Sequence, residues 1–168
     1  QPVKGTISDN IRYGRLDATI DEIHAAALKA GAHPVITEMP EAYDTQISEG
    51  GASLSAGQKQ LISFARALLA DPQILIMDEA TSSVDTLTEA RIEQGLRVLL
   101  QDRISVIIAH RLSTIRHADV ILVMEHGQII EQGNHEALIQ LKGRYHHLYQ
   151  QQSLNNLWGE TAPEVDAT

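Results

Sequence analysis

The sequence contains no cysteine, so a disulfide framework, a thiolate metal site and a thiol nucleophile are all excluded. It has few basic residues: 13 Lys and Arg stand against 22 Asp and Glu, a formal net charge of −9. That balance argues against bulk electrostatic binding of nucleic acid, which needs a basic face. Long hydrophobic runs are also missing, and none approaches the roughly 20 residues needed to span a bilayer. The opening Gln1-Pro2-Val3-Lys4-Gly5 is neither a start methionine nor a signal peptide, and the 168 residues read as part of something longer. What is present is an apolar content of 43%, enough to argue against wholesale disorder.

Periodicity divides the chain. Thr19-x-x-Glu22 has capping-box spacing, and Ile20, Ile23 and Ala27 follow at helical intervals until Gly31 and Pro34. Met39 to Gly51 reads as a loop broken by Pro40, Gly50 and Gly51. Ser55-x-x-Gln58 is a second capping box, with Leu61, Phe64, Ala65, Leu68 and Leu69 as the stripe behind it and Asp71-Pro72 as its stop. The period then changes. Ile74–Met77 and Ile104–Ile108 are short continuous apolar runs, expected of strands covered on both faces. Between them, Thr86-x-x-Glu89 opens a helix carrying Ile92, Leu96 and Leu99. A short helix near Ser113 to His117 follows, then two strands around His126-Gly127. Asn134 caps a short helix closed by Gly143, and a polar tail follows Gln152. Alternating strands and helices predict a parallel sheet with crossovers.

Three features carry chemistry. Asp78-Glu79 directly follows a buried-type strand, and in open α/β sheets ligands bind at the carboxyl ends of strands. One carboxylate there can hold Mg²⁺ while its neighbour orients a water. An isolated Asp-Glu pair is more often two acids in the first turn of a helix. His110 ends the other strand and would share that rim, although a lone histidine is usually structural. Leu54-Ser55-Ala56-Gly57-Gln58 opens a helix whose free N–H groups suit phosphate, and alone it is only a cap.

Their order is more specific than any one of them. Leu54–Gln58, a helix, Ile74 through Asp85, and Ile108-Ala109-His110-Arg111-Leu112-Ser113-Thr114-Ile115 together resemble the nucleotide-binding domains of exporter-type ATP-binding cassette (ABC) transporters. Thr6–Gly14, Tyr43-Asp44-Thr45, Ala118-Asp119, Gly127-Gln128-Ile129 and Glu131–His135 extend the resemblance over about residues 5 to 152.

The resemblance implies an α/β, P-loop NTPase-type fold that is incomplete. Residues 1–72 would be the helical signature subdomain, 73–152 the C-terminal part of the RecA-like parallel-sheet core, and 153–168 a disordered tail. It makes Asp78 the Walker B aspartate that helps hold Mg²⁺, Glu79 the catalytic glutamate and His110 the switch histidine near the γ-phosphate. Ser55, Gly57 and Gln58 belong to the signature motif, which contacts ATP held by the opposite subunit. Ala56 replaces the commoner glycine there. Asp85 matches the D-loop aspartate at the dimer interface, and Glu49-Gly50-Gly51 lies where exporters have a loop facing the coupling helices.

One departure is an absence: no Gly-x-x-x-x-Gly-Lys-Ser/Thr occurs, so the Walker A phosphate loop is missing. The missing strand would lie between the one ending at His110 and the Val120–Met124 strand, leaving exposed edges. The expected function is therefore an ATP-binding and ATP-hydrolysing fragment of an exporter on the cytoplasmic face of the inner membrane. Its implied cofactors are ATP and Mg, and its implied partners are a second nucleotide-binding domain, in a homo- or heterodimer, and a transmembrane domain. The chain alone is expected to be inactive. An alternative is a non-catalytic module that donates Ser55 to a partner cassette. Chromosome-structural and DNA-repair ATPases share these motifs, but their long coiled coil before the signature is absent, and the charge of −9 counts against DNA.

Overall fold

The computed structural model describes residues 2–51, 53–78, 86–109 and 112–158. The chain divides into two compact units, residues 1–77 with 82–107, and residues 78–81 with 108–168. The architecture is α/β, with its strands in three two-stranded sheets rather than one continuous sheet.

The first unit opens with strand β1 (Gly5–Thr6) and helix α1 (Ile7–Arg12). Helices α2 (Ile20–Lys29) and α3 (His33–Thr37) follow, then a 3-10 turn (Ala42–Asp44) and strand β2 (Gln46–Ile47), antiparallel to β1. Thus the Met39–Gly51 stretch, expected as loop, contains a strand and a 3-10 turn. Helix α1 lies ahead of the expected first helix. It is short, but Thr6 and Asp9 close a reciprocal capping box around its first turn. Thr19 and Glu22 do the same for α2. Ile20 is a correction: it sits at the first position of α2 and is 60% exposed, while Ile23, Ala26 and Ala27 carry the buried face. Pro34 does not break structure either. It occupies the first turn of α3, where its missing N–H costs nothing.

Helix α4 (Ala56–Ala70) is the centre of this unit. Leu61, Ile62, Phe64, Ala65 and Leu69 bury one side of it, and α1, α2 and helix α5 (Thr86–Leu100) pack around it. Asp71, in the left-handed conformation at φ 48°, ends the helix, and its N–H donates to Ala67 O. Gly95 lets α5 approach closely, since a Cβ there would stand 2.5 Å from Ala30 O and 3.2 Å from the Phe64 ring. Asn10 is fully buried and ties α1 to its surroundings. Its Oδ1 accepts from Val3 N at 2.8 Å and from Arg66 Nη2 at 2.9 Å, and its Nδ2 donates to Val3 O and Thr6 O. Arg66 Nε also donates to Asn10 O at 2.7 Å.

Strands β3 (Ile74–Asp78) and β4 (Ile104–Ile108) flank α5. Ile104 N donates to Gln73 O, so the two strands start side by side, as parallel neighbours do. Coverage on both faces is not what the structure has. Leu75 and Met77 pack against the core, whereas Ile74, Ile76, Ile104 and Val106 are 56–76% exposed. The apolar runs are real, but one face of the pair lacks a covering layer among the described residues.

The second unit has helix α6 (Leu112–Arg116), strands β5 (Ile121–Glu125) and β6 (Gln128–Gly133), and helices α7 (His135–Leu141) and α8 (Arg144–Trp158). β5 and β6 form an antiparallel hairpin through His126 and Gly127, both at positive φ, the signature of a type I′ turn. Ile121, Val123, Leu138 and Tyr145 make its small core. Asn134 caps α7 by accepting from Ala137 N. Lys142, at φ 55°, closes that helix in place of the expected Gly143. Glu131 accepts from the N–H groups of Arg144 and Tyr145, capping α8. That helix continues through Trp158, past the expected start of the tail at residue 153.

Two predictions follow from this packing. Asn10→Ala removes the side-chain partner of the Val3 N–H and C=O and one of the bonds of the Arg66 guanidinium, whose Nε bond to the backbone of residue 10 remains. The expected loss is about 3 kcal/mol in a denaturant titration; a change below about 0.5 kcal/mol would show that water replaces those bonds. The second concerns acid. Hydrogen bonds from Thr6 hold the Asp9 carboxyl below its ordinary value, and hydrogen bonds from Thr19 N–H and then Arg15 do the same for Glu22. Stability from both is present above the usual carboxylate range, near pH 4, and is lost as the pH falls through the lowered values. The melting temperature followed by circular dichroism should fall on acidification, and the Asp9→Asn, Glu22→Gln double variant should flatten that fall.

Candidate functional site

Leu54 is buried, and directly after it Ser55 stands exposed at the head of α4. The Ser55 backbone is extended, and its Oγ accepts from Gln58 N at 3.2 Å. In return Gln58 Oε1 accepts from Ser55 N at 2.9 Å. This closes one donor of the helix end. Helix geometry leaves the N–H groups of Ala56 and Gly57 without an intrahelical acceptor. The Ser55 hydroxyl keeps its proton to donate, and so does the Gln58 amide nitrogen. The 15-residue helix behind them adds positive potential at this end. Gly57 is buried. The arrangement is a small set of donors that could meet an anion, held in place because one face of α4 is core.

Asp78 is the last residue of β3. Its neighbour Met77 is half-buried against the core, and strand alternation turns Asp78 outward, where it is exposed. It has no hydrogen bond or ion pair among the described residues. An exposed carboxylate at a strand's carboxyl end is a hard oxygen donor free to join a cation that keeps several waters, as Mg²⁺ does. Thus Ser55, Gly57 and Gln58 come together on one helix end, and Asp78 stands at the end of β3. Glu79, Asp85 and His110 lie outside the described residues. The loop residues Gly50 and Gly51 have positive φ of 70° and 67°. Among the described residues no helix is long and apolar enough to cross a membrane.

One feature of the first unit escaped the sequence motifs. His33 Nδ1 lies 2.8 Å from Tyr43 OH, and the His24 ring stacks on Tyr43 with centroids 4.2 Å apart. Burial raises the Tyr43 phenol above its usual value. The cluster anchors the segment just before β2, and the helical spacing of His24 gave no sign of it.

Known proteins resemble this chain over most of its length. The sequence model of the family described as ABC transporter matches residues 4–82, the span that holds Ser55, Gly57, Gln58 and Asp78. The chain is 55% identical over 149 residues to the uncharacterized ABC transporter ATP-binding protein YfiC of Bacillus subtilis, covering 89% of this chain and 25% of that protein. It is also 55% identical over 144 residues to a fatty acid ABC transporter ATP-binding/permease protein of Mycobacterium bovis, covering 86% of this chain and 23% of that protein. The chain thus spans about a quarter of the length of these curated relatives. Among solved structures, a bacterial Atm1-family ABC exporter with ATP bound superposes with a TM-score of 0.81 at 39% identity, over 98% of this chain and 27% of that one. On these likenesses the chain belongs to the ABC transporter family.

Proposed function

We propose that this chain is part of an ATP-hydrolysing domain of an ABC exporter. It would couple ATP turnover at a nucleotide-sandwich dimer to export through a transmembrane domain, on the cytoplasmic side of the membrane. The observation that carries this reading is the exposed, Ser55-capped N-terminus of a helix that buries one face in the core. Such an end recognises phosphate without rearranging, and it faces away from its own unit's interior, as a group serving a partner's nucleotide must.

The residues present fit a magnesium nucleotide. Asp78 would join the Mg²⁺ shell with one carboxylate oxygen, and Ser55 Oγ, the Gly57 N–H and the Gln58 amide would donate to phosphate oxygens of ATP bound on the partner domain. Bound Mg²⁺ would neutralise charge on the phosphates, the main requirement of phosphoryl transfer. Glu79, next in the chain, would orient the attacking water, and His110 would donate to the γ-phosphate. Asp85 would act across the same dimer interface. Because the sequence has no Gly-x-x-x-x-Gly-Lys-Ser/Thr, this chain by itself would supply the signature side of the sandwich and not the phosphate loop. That favours, as a second reading, a module that donates Ser55 to a complete cassette without hydrolysing ATP itself.

Two experiments test the proposal. In a full-length protein carrying this sequence, Glu79→Gln should reduce steady-state ATP hydrolysis by about 10²-fold or more while ATP still binds; unchanged turnover would remove Glu79 from the mechanism. Calorimetric titration of the 168-residue chain with Mg-ATP, with folding confirmed by circular dichroism, should give no saturable heat. Saturable binding would mean that another segment replaces the phosphate loop.

A further inference from the structure

The first unit also holds a cavity between α2, α3 and α5. Leu28 and Lys29 from the last turn of α2, Gly31, His33 and Pro34 at the start of α3, and Arg91 and Gln94 of α5 line a cavity of about 370 Å³. That size falls in the lower part of the range of small-molecule sites, roughly 300–1,000 Å³.

Its charge is unusual for this chain. The protein carries 22 acidic residues against 13 basic, yet no acid lines this cavity. Helical neighbours do not neutralise its two cations. Residues three and four positions from Lys29 are Ala25, Ala26, Ala32 and His33, and those around Arg91 are Leu87, Thr88, Gln94 and Gly95. Neither Lys29 nor Arg91 has an ion pair among the described residues. By contrast, Arg97 on the same helix pairs with Glu93.

The backbone holds these groups together. Gly31, at φ +73°, turns the chain from α2 into α3 against α5, and a Cβ there would meet Arg91 O at 3.5 Å. Three carbonyls at the end of α2 are occupied: Ala26 O, Ala27 O and Leu28 O accept from Ala30, Ala32 and Gly31 N–H. His33 is oriented by its Nδ1 contact with Tyr43 OH. When the phenol donates that bond, the neutral ring carries its proton on Nε2 and keeps one donor to spare. Two ammonium or guanidinium cations, an imidazole N–H and the Gln94 amide therefore meet beside apolar Leu28 and Pro34.

We infer that this cavity binds a soluble phosphate monoester. The anion would sit between Lys29 and Arg91, and its organic substituent would lie on Leu28 and Pro34. Arg91 suits the two-oxygen contact of such a group and Lys29 supplies a point charge. The cavity exceeds the volume of a bare phosphate, which is why an ester rather than the inorganic ion is the fitting occupant. This site is separate from the α4 end, and its fate is independent of the nucleotide reading.

The test is an amide NMR titration of the full 168-residue chain with sulfate and with phenyl phosphate, at ionic strength matched with chloride. The expected result is saturable shifts at Gly31, His33 and Arg91, with phenyl phosphate binding at least several-fold more tightly than sulfate. Lys29→Gln and Arg91→Gln should each weaken binding about tenfold, while Arg97→Gln leaves it unchanged. Lys29 is exposed, so its variant tests the site without disturbing the core; far-UV circular dichroism checks both. Shifts that grow linearly with salt, spread over the surface, or persist in both cavity variants would overturn the site. Equal affinity for sulfate and phenyl phosphate would overturn the monoester.

Discussion

The burial of one face of α4 is the constraint on which the rest depends. Leu61, Ile62, Phe64, Ala65 and Leu69 are core, and α1, α2 and α5 are placed by packing on that helix. Full burial of an aliphatic or aromatic side chain is worth roughly 1.5–3 kcal/mol. The four large side chains among them outweigh any single hydrogen bond here. The consequence for function is direct. A helix fixed along its length cannot shift its N-terminus, so Ser55 and Gln58 present their donors in one place. Positioning of that kind, rather than covalent chemistry, is what phosphoryl transfer asks of a protein.

Polar groups refine this apolar frame. Asn10 and Arg66 join α1 to α4 through buried and half-buried bonds, and the capping boxes at Thr6, Thr19 and Ser55 stop α1, α2 and α4 from fraying at their first turns. The second unit uses the same devices at smaller scale. Glu131 on β6 caps α8, and His135 Nδ1 lies 2.8 Å from Tyr145 OH. The β3–β4 pair is the exception. Its outer apolar face, Ile74, Ile76, Ile104 and Val106, meets no covering layer among the described residues. That is also the edge on which Asp78 stands.

Local features were legible in the sequence. The Ser55–Gln58 and Thr19–Glu22 spacings announce reciprocal caps, because both partners lie within one turn. The apolar runs at Ile74 and Ile104 announce strands. Burial was less legible, because it depends on what lies opposite. Nothing at Ile20 reveals that the first helical position points to solvent, and nothing at Ile76 reveals that its face of the sheet is bare. Helix α1 was missed because two turns are too short for a periodic stripe. Lys142 closes α7 although Gly143 is the better left-handed residue by chemistry, so tertiary context overrides propensity there. The helix-end and strand-end positions of Ser55 and Asp78 follow from order and spacing. The cavity between Lys29 and Arg91 does not, since those residues are far apart in sequence and meet only through the Gly31 turn.

In the proposed reading, the α4 end serves a nucleotide held by another domain. Its most direct measurement is ATP hydrolysis by a complete cassette whose own signature serine has been replaced by arginine, with this chain added in increasing amounts. The wild-type chain is expected to restore turnover in a saturable way, and a Ser55→Arg chain is not. Equal turnover with both chains, or none with the wild type despite demonstrated association, would contradict it.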